Sequence, residues 1–334
     1  SILLSIDGDT LRVAATNLEY AIEITLAGNG KGEGRVCVPA RVLSAFVQSL
    51  KEDIVDLEIK NTHIAVKSAL RTTRINCFAA DDFPLIPSLK KHTGITLSSS
   101  LLQDGLEKVL PAVSLSGFKQ ELNGVFFRAG KQSLTLAATD TFRLAEKTIT
   151  LIKRQSEEVF SFILPSRIAS EMTRILKGDE DVSLWIDDNQ ALFETGDVKI
   201  ISRTIDGAFP DYAGIVPKDF KTASVLQKND LKDAIRSSSI FASKLQDVMM
   251  SCNDLCVEVS SRNNDVGEYK TKIPSTLSGD PLIVSFNYRY MLDGINSLHE
   301  NEVFFGCSGE GAPALLRNTS DNSFIYVVMP IRSI

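Results

Sequence analysis

The chain has 334 residues, 43% of them apolar, which is long for one hydrophobic core and enough for two or three. No run approaches the roughly 20 apolar residues of a spanning helix. The start of the sequence lacks the three-part pattern of a secretory leader, so a cytoplasmic protein is expected. A formal net charge of −6 and a pI near 5.3 exclude a nucleic-acid binder working by bulk positive charge, leaving open one that gathers its cations on particular helices.

In chain order, the first readable element is a hairpin at Leu11 to Glu23, and it returns later. Leu11, Ala14, Ala15, Thr16 and Glu23 reappear as Leu134, Ala137, Ala138, Thr139 and Glu146, each 123 positions on. In the second copy, apolar runs meet at a polar Thr139-Asp140-Thr141 corner, where Thr and Asp side chains can bond their own backbone. Val38-Pro39-Ala40-Arg41 is echoed by Leu164-Pro165-Ser166-Arg167, and Phe83-Pro84 by Phe209-Pro210, both 126 positions on. A weaker third copy runs through an alternating stretch at Leu255 to Val259, a helix near Phe286 to Leu292, and a close on Val328-Met329-Pro330.

The spacing predicts three similar α+β domains, 1–92, 93–219 and 220–334, each with two helices packed on an antiparallel sheet. Polar, Lys-bearing stretches at Ser88 to Gly94 and Pro217 to Ala223 serve as linkers. Copy two carries a helix before its hairpin, with Leu101, Leu102, Leu106, Val109 and Leu110 on one face. Copy one begins at Ile2-Leu3-Leu4 without such a helix, so the first domain is expected to be N-terminally truncated by one strand and one helix. Pro165 is expected to start the second helix of copy two, with Ile168, Ala169, Met172, Ile175 and Leu176 as its buried stripe.

Catalytic patterns are sparse. The chain has no phosphate-cradling Gly-rich loop, no His-Glu-x-x-His and no nucleophile elbow, and no catalytic residue, cofactor or metal site is expected. Cys37, Cys77, Cys252, Cys256 and Cys307 read as reduced thiols, and His63, His92 and His299 as solvated side chains. Asp81-Asp82 and Asp187-Asp188 could hold magnesium in a nucleic-acid enzyme, but neither pair has a third carboxylate at fitting spacing. Cations mark the helices instead: Arg41 in copy one, Arg167, Arg174 and Lys177 in copy two, Lys232 and Arg236 in copy three. If these face a common space, they contact phosphate and read no bases; with no aromatic residues interleaved for stacking, duplex is the better ligand.

The hairpin Ala138 to Ala145, the segment Arg203 to Tyr212 and the ending Val327 to Arg332 resemble the bacterial sliding clamps, the beta subunits of the replicative DNA polymerase III. The resemblance implies a head-to-tail homodimer closing a ring of six domains, with helices lining a hole that passes double-stranded DNA without sequence reading. It implies partners too: the polymerase III alpha subunit, other polymerases and the clamp loader, each docking through a short peptide. Carried over residue by residue, the peptide groove comprises Leu122, Thr139, Thr141, Phe142, Arg143, Leu144, Pro210, Ile215, Leu245, Val327, Val328, Met329, Pro330, Ile331 and Arg332. Lys119 joins the DNA-facing set. Thr73 and Ile75, with Ile240 and Phe241, match the dimer interface. Where many members have Gly-His, this chain has Thr141-Phe142, which implies a bulkier rim. A clamp-like scaffold without ring closure is the remaining alternative.

Overall fold

The computed structural model describes every residue except 61, 88, 92, 156, 157 and 332–334. The described residues form two compact units, one drawn from 1–99, 152–156 and 179–204, the other from 100–151, 157–178 and 205–334. Repeat two therefore contributes to both.

Repeat one runs β1 (Ile2–Asp7), β2 (Thr10–Thr16), β3 (Tyr20–Ala27), β4 (Glu33–Val38), α1 (Ala40–Ser49), β5 (Asp56–Lys60), β6 (His63–Lys67) and β7 (Thr72–Asn76). Repeat two begins β8 (Thr93–Ser98), α2 (Ser99–Val109), β9 (Gly124–Ala129), β10 (Ser133–Thr139), β11 (Arg143–Thr150) and β12 (Lys153–Arg154). It continues β13 (Phe160–Pro165), α3 (Ser166–Ile175), β14 (Asp181–Asp187), β15 (Gln190–Thr195) and β16 (Val198–Arg203). Repeat three begins β17 (Thr222–Gln227), α4 (Lys228–Ser239), β18 (Asp247–Asn253), β19 (Cys256–Asn263), β20 (Gly267–Pro274) and β21 (Leu277–Gly279). It ends β22 (Leu282–Asn287), α5 (Tyr288–Ser297), β23 (Glu302–Cys307), β24 (Ala314–Asn318) and β25 (Phe324–Val328).

The sheets do not respect the repeats. In the first unit a nine-stranded sheet runs β12-β8-β14-β15-β16-β3-β2-β1-β4, and a separate sheet runs β5-β6-β7. In the second unit nine strands run β13-β9-β10-β11-β25-β24-β23-β17-β21, and four run β20-β19-β18-β22. Two joints carry successive repeats onto one sheet: β3 pairs with β16, and β11 with β25, both antiparallel. The expectation of one sheet per domain is corrected here. An unpaired edge strand exposes a row of N–H and C=O groups, and at these two joints the neighbouring repeat covers that row.

Strand alternation decides which side chains go where. On β1, Leu4 faces the core of repeat one, with Val36, Val38, Leu43, Ile64, Val66 and Ile75, while Leu3 faces the opposite side and is covered by Phe83 and Ile86. Repeat two copies this on the outer face: Phe126 stacks on Phe209 with ring centroids 4.7 Å apart and planes 5° apart. The closing Phe-Pro is thus a lid over the sheet face away from the helix. Pro165 ends β13 and caps α3 from outside, one residue earlier than expected, and Ile168, Ala169 and Met172 are the buried helix positions. Leu176 is buried just past the helix end, whereas Ile175 is half-buried. On α2, Leu102, Leu106 and Val109 are buried but Leu101 is exposed. With 3.6 residues per turn, adjacent leucines cannot share one face.

Candidate functional site

The corner between β10 and β11 is built by its own side chains. Thr139 Oγ1 donates to the Arg143 carbonyl at 2.6 Å and accepts from the Thr141 N–H at 3.1 Å. Asp140 Oδ1 accepts from the Phe142 and Arg143 N–H groups, each at 3.0 Å. Four bonds over five residues hold Thr141 at φ 78, a left-handed backbone that β-branched residues rarely adopt. The corner presents Phe142 outward, 59% exposed.

Against this corner lies the end of the chain. Arg143 pairs with Val328 and Leu144 with Val327, and the Met329 N–H donates to the Phe142 carbonyl at 2.8 Å. Two residues on, the Ile331 N–H donates to Ser285 O at 2.8 Å, so the tail leaves one sheet and crosses to β22 of the other. Met329, Pro330 and Ile331 are half-buried along that crossing. Leu144 and Val327 join Tyr212 and Leu315 in one buried cluster, with Phe209, Val216 and Phe220 packed around it. Tyr212 is pinned by its hydroxyl, which donates to Glu146 Oε2 at 2.5 Å. Burial and the Glu146 carboxylate both raise its pKa.

The structure thus gathers Thr139, Thr141, Phe142, Arg143, Leu144, Val327, Val328 and Met329 around one corner. Pro210 lines a neighbouring cavity of about 450 Å³ with Phe126, Tyr212 and Ile325. Ile215 is exposed, its N–H bonded to Tyr212 O at 2.9 Å. Leu245 is exposed on the loop between α4 and β18; that loop meets α5 where the Tyr288 N–H donates to Gln246 O at 2.9 Å. Leu122 is buried in a 3₁₀ turn, Gln120–Leu122, and presents no surface. Arg332, like His92 and part of the Ser88 to Gly94 linker, lies outside the described residues.

Arg143 is engaged internally. Its Nε donates to Asp140 Oδ2 at 3.0 Å, its Nη1 to Asp293 Oδ2 at 2.5 Å, and its guanidinium lies over the Tyr290 ring at 4.3 Å. Burial works against its charge, but Tyr326, Asp293 and Asp140 outweigh that and raise its pKa.

The cations on helices are placed differently. Arg41, Arg167, Arg174, Lys177, Lys119 and Arg236 are exposed, and Lys232 is half-buried. Arg174 reaches Glu171 at 3.5 Å along its own helix. A further cation emerges from the element order: Arg289 is exposed and second in α5, as Arg41 is in α1 and Arg167 in α3. Its signal in the sequence was the threefold spacing itself, which pairs Arg289 with Arg167. A positive charge in the first turn opposes the helix dipole and costs about 0.3 to 1 kcal/mol, so helix stability does not explain it three times.

Of the residues expected at a subunit contact, Thr73 and Ile75 lie on β7, an edge of the sheet β5-β6-β7. Ile75 is only 4% exposed and points into the core of repeat one, so this edge offers its backbone and the alternate residues Thr72, Arg74 and Asn76. Ile240 is exposed at the end of α4, and Phe241 stacks on Tyr269 of β20 at 6.0 Å. Strand β20 is likewise a sheet edge. Elsewhere, Asp81 and Asp82 sit in a 3₁₀ turn, and the Asp188 N–H donates to Asp187 Oδ1 at 3.1 Å in a β-turn. His63 is half-buried on β6, and His299 Nδ1 lies 3.0 Å from Asn318 Nδ2. All five cysteines are free.

Three family models match in succession: the N-terminal domain of the DNA polymerase III beta subunit over 1–87, its central domain over 96–211 and its C-terminal domain over 213–332. Among curated proteins, the "Beta sliding clamp" of Synechococcus elongatus is 28% identical, over 99% of this chain and 91% of that protein. That of Bacillus subtilis is 26% identical over 90% and 81%. Among solved structures, the DNA polymerase III beta subunit of Thermotoga maritima superposes with a TM-score of 0.93 at 27% identity, covering 100% of this chain and 91% of the other. A Pseudomonas aeruginosa sliding clamp gives a TM-score of 0.94 at 23% identity, over 99% and 92%, and speaks to the fold.

Proposed function

The chain belongs to the DNA polymerase III beta-subunit family, with three clamp domains in α+β architecture, and on that premise we propose that it is a processivity clamp acting without chemistry of its own. It encircles duplex DNA as a head-to-tail dimer with domains divided near residues 92 and 219, and it docks polymerases and the clamp loader at the β10–β11 corner.

The observation that carries the ring is the pattern of joints. The last strand of repeat two, β16, pairs with β3 of repeat one, and the last strand of repeat three, β25, pairs with β11 of repeat two. By the same rule the last strand of repeat one, β7, should meet the equivalent of β3 and β11 in repeat three, which is β20. Both are sheet edges among the described residues and do not pair with one another. A second copy supplies each missing partner, and two such joints close the ring. Arg41, Arg167 and Arg289, each second in its helix, support a phosphate-facing role together with Arg174, Lys177, Lys232, Arg236 and Lys119. Because a closed ring is held topologically, the grip on DNA can stay weak, with linear duplex bound at about 10⁻⁴ to 10⁻⁶ M. Loading the protein onto circular duplex and cutting the circle tests this. Retention that collapses on linearisation is expected, and equal loss from both forms would overturn the reading.

The docking groove comprises Thr141, Phe142, Leu144, Pro210, Ile215, Leu245, Met329, Pro330 and Ile331, with Thr139, Arg143, Val327 and Val328 as its frame. Val328 is fully buried and paired with Arg143, so deleting the tail from Val328 onward would damage the sheet as well as the groove. Met329→Ala is the cleaner probe: fluorescence polarisation with a peptide from the polymerase tail should show binding abolished, and light scattering the dimer intact.

A further inference from the structure

The β3–β16 joint repeats the β11–β25 joint bond for bond. Ala21 pairs with Ile201 as Leu144 pairs with Val327, and the Arg203 N–H donates to Glu19 O at 2.9 Å as Met329 does to Phe142. Thr16 Oγ1 donates to Tyr20 O at 2.8 Å as Thr139 does to Arg143, and Asn17 Oδ1 takes the part of Asp140. The copied corner also holds a non-glycine residue left-handed, Leu18 at φ 76, a strained arrangement found in both repeats.

Beside this corner opens a cavity of about 450 Å³, lined by Leu18, Ala21, Leu85, Pro87, Ile201 and Arg203. Its apolar rim is large: Leu18 is 69% exposed and Leu85 is 96% exposed. The charged positions set it apart from the later joint. Glu19 stands where Phe142 stands there, and Arg203 where Met329 does. Among the described residues neither side chain makes an ion pair.

We propose that this joint is a second peptide-docking groove, selective for an extended segment that carries two aliphatic residues together with a basic and an acidic one. The aliphatic side chains cover Leu18, Leu85 and Ile201, the acid faces Arg203 and the base faces Glu19. The ligand class rests on reading the later joint as a peptide groove; the cavity and its charges stand apart from that reading. Two grooves of different polarity on one chain allow two partners to be held at once.

The test is a titration of the methyl-labelled 334-residue chain with the probe acetyl-Lys-Leu-Leu-Asp-amide, followed by NMR. Methyl resonances of Leu18, Leu85 and Ile201 should shift in a saturable way, unchanged in Met329→Ala. Arg203→Glu, a change at an exposed side chain, should weaken the binding about fivefold, the size of one exposed ion pair turned to repulsion. No shift at those three residues with millimolar probe, or equal affinity in Arg203→Glu, overturns the proposal. Shifts confined to Leu144 and Met329 would leave the docking groove of the later joint standing and remove only this one.

Discussion

At the scale of single residues, the corner at Thr139 to Leu144 divides between exposure and structure. Phe142 is free to meet a partner, while Arg143, next to it, is folded inward between Asp140, Asp293 and Tyr290. A sequence reads both as rim, because adjacent residues on a strand look equally polar or bulky without the partners across 150 positions of chain. The consequence is a stability prediction. Arg143→Ala leaves Asp140, only 14% exposed at its side chain, without its partner, and breaking such a buried pair costs about 3 kcal/mol. Urea unfolding should show that loss, and Arg143→Lys should not restore it, since an ammonium cannot span both carboxylates and stack on the ring.

At the scale of elements, the hairpins, the second helix of each repeat and the Phe-Pro lids were legible from periodicity and repeated residues. Leu3 with Phe83 and Phe126 with Phe209 show why: an apolar residue on the sheet had to be covered twice, and a Phe-Pro recurs to cover it. The strand joints were not legible, because β3 and β16 are separated by most of two repeats and pair through backbone groups that every residue carries. Nor was the tie at Glu300, whose carboxylate gathers the turn between β24 and β25. It accepts from Thr319 Oγ1 at 2.7 Å and N–H at 2.9 Å, and from Ser320 Oγ at 2.5 Å. The Ser320 and Thr319 hydroxyls lower its pKa to about 2. An unfolded Glu titrates near 4.3, so the tie contributes fully above that pH and is lost as pH falls towards about 2. Glu300→Gln should therefore unfold more readily than the parent at neutral pH, and the difference should shrink across that acid window in urea titrations read by circular dichroism.

At the scale of the whole molecule, the proposed ring gives the helix cations and the free edges separate roles. The cations need a polyanion to offset their place at helix N-termini, and the edges need another strand. Just past β7 the Cys77 N–H donates back to Thr62 O, so by alternation the N–H groups of Thr73 and Ile75 also turn towards β6 and that of Arg74 turns outward. Proline at position 74 would remove one outward donor and spare the internal ladder, the setting in which edge strands tolerate it. If β7 meets β20 of a second copy, Arg74→Pro strikes that joint and leaves the chain folded. Sedimentation equilibrium should then find the parent near twice 36.6 kDa and the variant shifted towards 36.6 kDa, with the circular dichroism of the two superimposable. A variant that stays dimeric would mean that subunits join through some other edge. A monomer that still unfolds like the parent would assign the joining of subunits to the outward edge of β7, whose other side pairs with β6.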